Sequence, residues 1–139
     1  MISAVCQTNS ELKTLKVLIV DDNETFRTDL KEFLDHQDGV DIIAEASNGQ
    51  DAIYFTHSLH PDLVLLDISL PGMSGIEVAR EIKEFFHDTR IVFVTIHEEK
   101  TYQAIAETLG ADGFVCKSSM KKDLPRVLQR IKDLFSEIS

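Results

Sequence analysis

The sequence has few cysteines and no long apolar run, and each shortage excludes a class of protein. The only two cysteines, Cys6 and Cys116, lie far apart in the chain. They fit neither a disulfide framework nor a ligand cluster, so we expect two free thiols in a reducing cytoplasm. The apolar runs are strand-sized and too short for a transmembrane helix, which needs about 18 residues or more. Residues 1–14 lack the basic start and apolar core of a signal peptide, and we expect a polar leader there.

Positive charge is also scarce. The 139-residue chain has 14 Lys and Arg against 24 Asp and Glu, which gives a formal net charge of −10. Nucleic acids and anionic membranes would be repelled, so direct binding to either is not expected. The same charge suits a protein that holds a divalent cation or meets basic partner surfaces. With 43% hydrophobic residues, a chain of this length is expected to form one globular domain.

Short apolar runs alternate with amphipathic helical patterns along the chain. The runs lie at 16–21, 40–46, 62–67, 90–95 and 113–117. Most are nearly continuous, as in parallel strands covered on both faces, but the second alternates and is expected at a sheet edge. Strict alternation of strand and helix predicts an α/β fold with right-handed crossovers. We expect a flavodoxin-like (βα)5 doubly wound parallel sheet with strand order 2-1-3-4-5.

Each helical pattern carries an apolar stripe that is expected to face the sheet. The second stripe includes Ile53, Thr56 and Leu59, and the fifth ends at Leu134. Asn48 is expected to cap the start of the second helix.

Polar residues stand where four of the predicted strands end. They are Asp21 and Asp22 after the first strand, Asp67 after the third, Thr95 after the fourth and Lys117 after the fifth. In a parallel sheet these ends share one edge, so the side chains are expected to lie close together. Clustered carboxylates need either a raised pKa or a bound cation, and Mg²⁺ takes carboxylate and carbonyl oxygens. A cation with a lysine opposite a carboxylate then favours binding of a phosphate dianion.

The motifs at these strand ends resemble those of the receiver domain of two-component response regulators. The matching segments are VLIVDD (17–22), LVLLDISLPGMSGIE (63–77), IVFVT (91–95) and GADGFVCK (110–117). Asp67, Pro71 and Gly75 meet the family's Asp-x-x-x-Pro-x-x-x-Gly spacing, and Ser118 after the lysine is shared with relatives that carry helix-turn-helix output domains. The resemblance divides the chain into the leader at 1–14 and a receiver domain at 15–139.

The resemblance implies a role for each residue of the cluster. Asp67 would be the phosphoacceptor, which takes a phosphoryl group from a sensor histidine kinase or a phosphotransfer protein. Asp22, Asp67 and the backbone carbonyl of Ser69 would coordinate Mg²⁺ or Mn²⁺ directly. Asp21 would act on the metal mostly through water, and Lys117 would pair with the phosphoryl oxygens. The chain would not be a conventional enzyme, although it would catalyse its own phosphoryl transfer and dephosphorylation.

The resemblance also implies a switch. Thr95 would move its hydroxyl onto the phosphoryl group and vacate space into which Phe114 turns. The face made by helix 4, strand 5 and helix 5 would then change shape and control a downstream protein, an output domain or a second copy of the chain. Ser69, Ile96 and His97 would tune access to the site, and Ile96 is larger than the residue usual at its position.

Helix 5 is basic in an otherwise acidic protein. Its cations are Lys121, Lys122, Arg126, Arg130 and Lys132. Ordinary solvated charge and a docking face for an acidic surface are both open interpretations.

The residues argue against two other functions and leave two more open. A magnesium-dependent phosphatase needs a nucleophile and an acid two residues apart on one strand, and DDNET (21–25) lacks that spacing. A histidine phosphotransfer module, suggested by His97 and Glu98, would be a helical bundle, which the strands exclude. A phosphorylation-independent adaptor with a receiver fold stays open, because Ile96 could seal the site. The receiver half of a DNA-binding transcriptional regulator also stays open.

Overall fold

The computed structural model describes residues 14–138, in which strands and helices alternate. The predicted leader (apart from Thr14) and Cys6 lie outside the described residues. The strands are β1 (Leu15–Val20), β2 (Val40–Ala46), β3 (Leu63–Leu66), β4 (Arg90–Thr95) and β5 (Gly113–Cys116). The helices are α1 (Glu24–Asp35), α2 (Gly49–Leu59), α3 (Gly75–Phe85), α4 (Lys100–Leu109) and α5 (Met120–Ile138). None of these helices is both long and apolar enough to cross a membrane.

The strands form one parallel sheet in the order β2-β1-β3-β4-β5, which confirms the predicted topology. The edge strand β2 is less regular than its sequence suggested. Val17 pairs with Ile42 and Leu18 with Ala44, so Ile43 is an extra residue in a bulge. Because of this bulge, β2 does not keep the strict inside–outside alternation of its sequence.

Helices cover both faces of the sheet, as expected for strands that are apolar on each side. One core cluster joins strand side chains to α1 and α5, with Leu30 and Leu128 fully buried. The other joins them to α2, α3 and α4, with Ala52 and Ile82 fully buried. This packing fixes the directions of the strands, and therefore the positions of the residues at their ends.

Two of the predicted apolar stripes were wrong at their C-terminal ends. Leu59 and Leu134 are 40% and 38% exposed. Ala52 is buried on α2, and Phe135 packs against the core from α5. The predicted cap of α2 is confirmed, since the Asn48 side chain accepts the N–H of Asp51 at 2.8 Å.

Candidate functional site at the carboxyl edge of the sheet

The structure brings the predicted site residues together at the carboxyl edge of the sheet. Asp21 and Asp22 follow β1, Asp67 follows β3, Thr95 ends β4 and Lys117 follows β5. One carboxylate oxygen from each of the three aspartates lies within 4.8 Å of the others. The edge therefore concentrates negative charge at one point, as the order of the strands requires.

The loop between β3 and α3 folds tightly against the backbone of Asp67. The N–H of Gly75 donates to the carbonyl of Ile68 at 2.7 Å. A Cβ on Gly75 would lie 1.9 Å from the carbonyl oxygen of Asp67, so only glycine fits. Ser74 caps α3 by accepting the N–H of Glu77. These contacts hold Asp67 at the start of a well-ordered turn.

Lys117 lies between the acidic groups. Its Nζ is 2.7 Å from Oδ2 of Asp21 and 3.2 Å from Oδ2 of Asp67. Burial acts to lower the pKa of Lys117, but the two neighbouring carboxylates outweigh it and the pKa is raised. The ammonium also lies 4.2 Å from the centre of the Phe26 ring. Lys117 is thus held as a cation beside Asp67.

Asp21 is the most deeply buried carboxylate of the cluster, with 2% of its surface exposed. Its Oδ1 accepts the N–H of Asn23 at 2.8 Å. Its Oδ2 is close to Lys117, yet no well-directed hydrogen bond reaches this buried oxygen from the described residues. Burial raises the pKa of Asp21, with a further contribution from the charge of Asp67, although Lys117 and the Asn23 N–H oppose the shift. Asp21 is therefore a buried carboxylate whose main charged partner is the Lys117 ammonium.

The donor atoms fit a hard divalent cation. Such an ion would draw on the exposed carboxylate of Asp22 and on Asp67, and Asp21 lies close enough to act through a bound water. Mg²⁺ keeps several waters when it binds to proteins, which suits a site that is open on the side of Asp22. Ser69 is exposed, and its N–H donates to Oδ1 of Asp67 at 3.4 Å. The role of its carbonyl as a ligand stays a prediction.

The two residues predicted to switch lie on neighbouring strands. Thr95 is wholly buried, and its hydroxyl accepts the N–H of His97 at 3.3 Å. Phe114 is half-buried on β5, with its ring centre 6.2 Å from that of Phe93. A movement of Thr95 followed by Phe114 stays a prediction.

A hydrogen bond joins the loops that follow β3 and β4. Ser69 Oγ and His97 Nε2 are 2.6 Å apart, and the His97 ring packs against Tyr102 with centres 4.8 Å apart. His97 Nδ1 also lies 3.6 Å from a carboxylate oxygen of Glu99. Ile96, between Thr95 and His97, is 67% exposed. The sequence suggested these residues at the entrance, but it gave no sign that Ser69 and His97 touch.

Two residues in the first turns of α1 belong to the site although the sequence gave them no role there. Phe26 was not singled out, yet its ring lies beside Lys117. Arg27 was not singled out either, and its Nη1 donates to the carbonyl of Asp21 at 2.6 Å. Their position one helical turn after the acidic pair was the available signal.

The basic face of α5 is smaller than its sequence suggested. Arg130 donates to the carbonyl of Asp112, and Lys132 donates to the carbonyl of Asp38. Both cations are thus engaged with the backbone of the same chain. Lys121, Lys122 and Arg126 are exposed and lie at the end of α5 nearest the acidic cluster.

Comparison with known proteins agrees with this geometry. The family model of the response regulator receiver domain matches residues 17–129. The chain belongs to this family. The predicted family and its flavodoxin-like fold are therefore confirmed. Receiver domains of two-component response regulators are signalling modules rather than conventional enzymes.

The relatives of this receiver domain include longer proteins. The nitrate/nitrite response regulator protein NarL of Escherichia coli K12 is 35% identical over 116 residues, which cover 82% of this chain and 53% of NarL. The chain thus spans about half the length of the curated relatives it matches.

Solved structures of response regulators align with this chain. A LuxR-family two-component response regulator from Aurantimonas sp. SI85-9A1 aligns with a TM-score of 0.80 at 30% identity, covering 89% of this chain and 86% of the other. A LuxR-family DNA-binding response regulator from Staphylococcus aureus aligns with a TM-score of 0.79 at 26% identity, covering 84% and 98%.

Proposed function

We propose that this receiver domain is a phosphorylation switch whose phosphoacceptor is Asp67. One observation carries the proposal: the Asp67 carboxylate lies 3.2 Å from the Lys117 ammonium and within a cluster of three carboxylates. Few structural roles need an acidic triad and a half-buried cation at the open edge of a parallel sheet. The transfer of a phosphoryl group needs both.

In the proposed reaction a carboxylate oxygen of Asp67 attacks the phosphorus of a phosphohistidine on a sensor kinase or phosphotransfer protein. An oxygen–phosphorus bond forms, the phosphorus–nitrogen bond breaks, and the imidazole leaves with the electron pair. Asp22, Asp67 and the Ser69 carbonyl would hold Mg²⁺ or Mn²⁺, with Asp21 acting mostly through water, and the bound ion would neutralise charge on the phosphoryl oxygens. Lys117 pairs with one of these oxygens, so positioning and electrostatic stabilisation provide most of the catalysis.

The proposed output begins at Thr95. A phosphoryl group on Asp67 offers a new acceptor to its hydroxyl, which at present accepts the N–H of His97. Movement of Thr95 would open space for the half-buried ring of Phe114, and the face of α4, β5 and α5 would change with it. The charge added at the carboxyl edge of the sheet would thereby change the shape of a surface some distance away.

Access to the site is proposed to depend on the entrance residues. Hydrolysis of the aspartyl phosphate needs a water in line with the oxygen–phosphorus bond. The exposed side chain of Ile96 and the bonded pair of Ser69 and His97 would border that approach and so set the rate of self-dephosphorylation. The exposure of Ile96 argues against a sealed site, and with it against a phosphorylation-independent adaptor.

The partners and location also form part of the proposal. The length of the relatives, and the similarity to a DNA-binding response regulator of Staphylococcus aureus, support a role as the receiver half of a DNA-binding transcriptional regulator. The face of α4, β5 and α5 would then contact the output domain, a downstream protein or a second copy of the chain. A cytoplasmic location, without contact to the membrane, suits a partner of a sensor kinase.

The experiment is phosphorylation of the purified chain by a phosphohistidine donor, with and without Mg²⁺, followed by intact-mass measurement. We expect the mass to rise by one phosphoryl group only when the metal is present, and we expect alkali to remove the label. Asp67→Asn should abolish the label. Asp88→Asn is the matched control, because Asp88 is an exposed aspartate before β4, at the opposite edge of the sheet.

Two results would contradict the proposal. Labelling that persists in Asp67→Asn would place the phosphoryl group elsewhere. Labelling that resists alkali would exclude an acyl phosphate.

A further inference from the structure

Arg27 joins the edge strand of the sheet to the acidic pair. Its Nε donates to Oε1 of Glu45 on β2 at 3.1 Å, and its Nη1 donates to the carbonyl of Asp21 at 2.6 Å. Lys31 holds the other oxygen of Glu45 at 2.8 Å. The hydrogen bond from Lys31, with help from Arg27 against the effect of burial, lowers the pKa of Glu45 and keeps it ionised. The Arg27 side chain is mostly buried, with 16% of its surface exposed.

The backbone of Asp21 is therefore held from both sides. Its N–H donates to the carbonyl of Ala46, the last residue of β2, at 3.0 Å. Its carbonyl is held by Arg27, whose own N–H donates to the carbonyl of Asn23 at 3.0 Å. The Asp21 carbonyl belongs to the peptide unit that leads into Asp22. Fixing this unit fixes the direction from which Asp22, an exposed residue with no strand to hold it, presents its carboxylate.

We propose that Arg27 is a positioning residue that orients the Asp21–Asp22 peptide unit for the divalent cation. This inference rests on the proposed function, because it assigns Arg27 a task at the same metal site. Arg27 touches neither the metal ligands' carboxylates nor the phosphoacceptor, and it acts through the backbone of Asp21. Residues that orient ligands in this way typically change metal affinity by about ten- to a hundredfold when they are replaced.

The direction in which Mg²⁺ affinity changes when Arg27 is replaced distinguishes a positioning role from a purely electrostatic one. Arg27 is a cation close to an acidic site, so its charge alone repels a divalent cation. If charge were its main contribution, its removal would strengthen Mg²⁺ binding. If it orients the ligands, its removal weakens binding in spite of the lost repulsion. A residue that merely supports the fold would leave the affinity of the folded chain unchanged.

The experiment is calorimetric titration of Mg²⁺ into the unphosphorylated chain, which measures binding without any transfer reaction. Arg27→Ala should weaken Mg²⁺ binding by about tenfold. Arg27→Lys keeps the charge but cannot donate to Glu45 and to the Asp21 carbonyl from two nitrogens, so it should recover only part of the affinity. Lys31→Met is the matched control, because it removes a neighbouring cation while the bond to the Asp21 carbonyl stays. Its affinity should be equal to that of the wild type or slightly higher.

Circular dichroism of each variant shows whether it has folded, and Arg27→Gln replaces Arg27→Ala if the alanine variant has not. Unchanged or tighter binding in the folded variant would overturn the inference. An equal loss in Lys31→Met would also overturn it, since the effect would then follow from the tether to β2 in general. If the wild type binds no Mg²⁺, the metal step of the proposed function fails and the inference fails with it. A failure confined to Arg27 leaves the proposed function standing.

Discussion

Gly75 and Asp67 approach each other so closely that a Cβ on Gly75 would lie 1.9 Å from the Asp67 carbonyl oxygen. This contact ties the first turn of α3 to the residue after β3. The glycine is therefore required by space rather than by an unusual backbone angle.

Gly75→Ala should lower the free energy of unfolding by about 3 kcal/mol, because the methyl group meets backbone atoms that have little room to move. Urea unfolding followed by circular dichroism measures the change. Gly72→Ala is the matched control, since Gly72 has φ of 78° and no atom within 4 Å of an added Cβ. It should cost about 1 kcal/mol through backbone strain alone. Equal losses in the two variants would show that the close approach is not limiting.

Ile96→Ala should accelerate both phosphorylation by small donors and hydrolysis of the aspartyl phosphate if the branched side chain borders the in-line approach, as proposed. The two rates should rise severalfold, since a displacement of about 1 Å can change a rate by roughly a hundredfold. Mg²⁺ affinity should not change, because no ligand is touched. Leu59→Ala, at another exposed apolar position, controls for lost surface area. Rates within about twofold of the wild type would disprove the gating role.

Reversing the charge of exposed cations on α5 tests whether this helix docks on an acidic surface. Lys122→Glu combined with Arg126→Glu should weaken partner binding or self-association by about tenfold, because a favourable charge contact becomes a repulsive one. Phosphorylation should be unaffected. Lys16→Glu with Arg80→Glu makes the same change of charge at exposed positions outside α5. Sedimentation velocity and a phosphorylation assay give the two readouts, and a parallel loss in both would indicate damage to the fold instead.

The ion pairs of Glu45 predict a pH dependence of stability. The pKa of Glu45 is lowered in the folded chain, so its stabilising effect is present above its unfolded pKa and is lost as the pH falls through the folded value. Glu45→Gln should therefore cost about 0.5–1 kcal/mol at neutral pH, the range of partly exposed ion pairs, and the cost should vanish in acid. Denaturant unfolding across this range measures it. A cost that is constant with pH would assign the effect to packing.

Much of the fold could be predicted because the apolar runs of the central strands allow one burial pattern only. Asp21, Asp67, Thr95 and Lys117 meet at one edge once the strand order is known, so the core of the site followed from topology. The bulge at Ile43 could not be predicted, because the alternating sequence of β2 is compatible with either register.

The contacts of long side chains were the least predictable part of the site. Arg27 reaches from α1 to both β2 and the Asp21 carbonyl, and its sequence neighbours do not indicate either partner. The same holds for Arg130 and Lys132, which appeared to enlarge a basic face but donate to backbone carbonyls. Such contacts depend on the packing of whole helices, which local periodicity does not specify.

The position of the phosphoryl group in the chain tests most directly whether Asp67 is the phosphoacceptor. Borohydride reduces an aspartyl phosphate to homoserine, and peptide mass spectrometry identifies the altered position. After phosphorylation in the presence of Mg²⁺ and reduction, we expect homoserine at position 67 and unmodified Asp21 and Asp22. Homoserine at position 21 or 22, or a phosphorylated chain that yields no homoserine, would contradict the assignment of Asp67 as the phosphoacceptor.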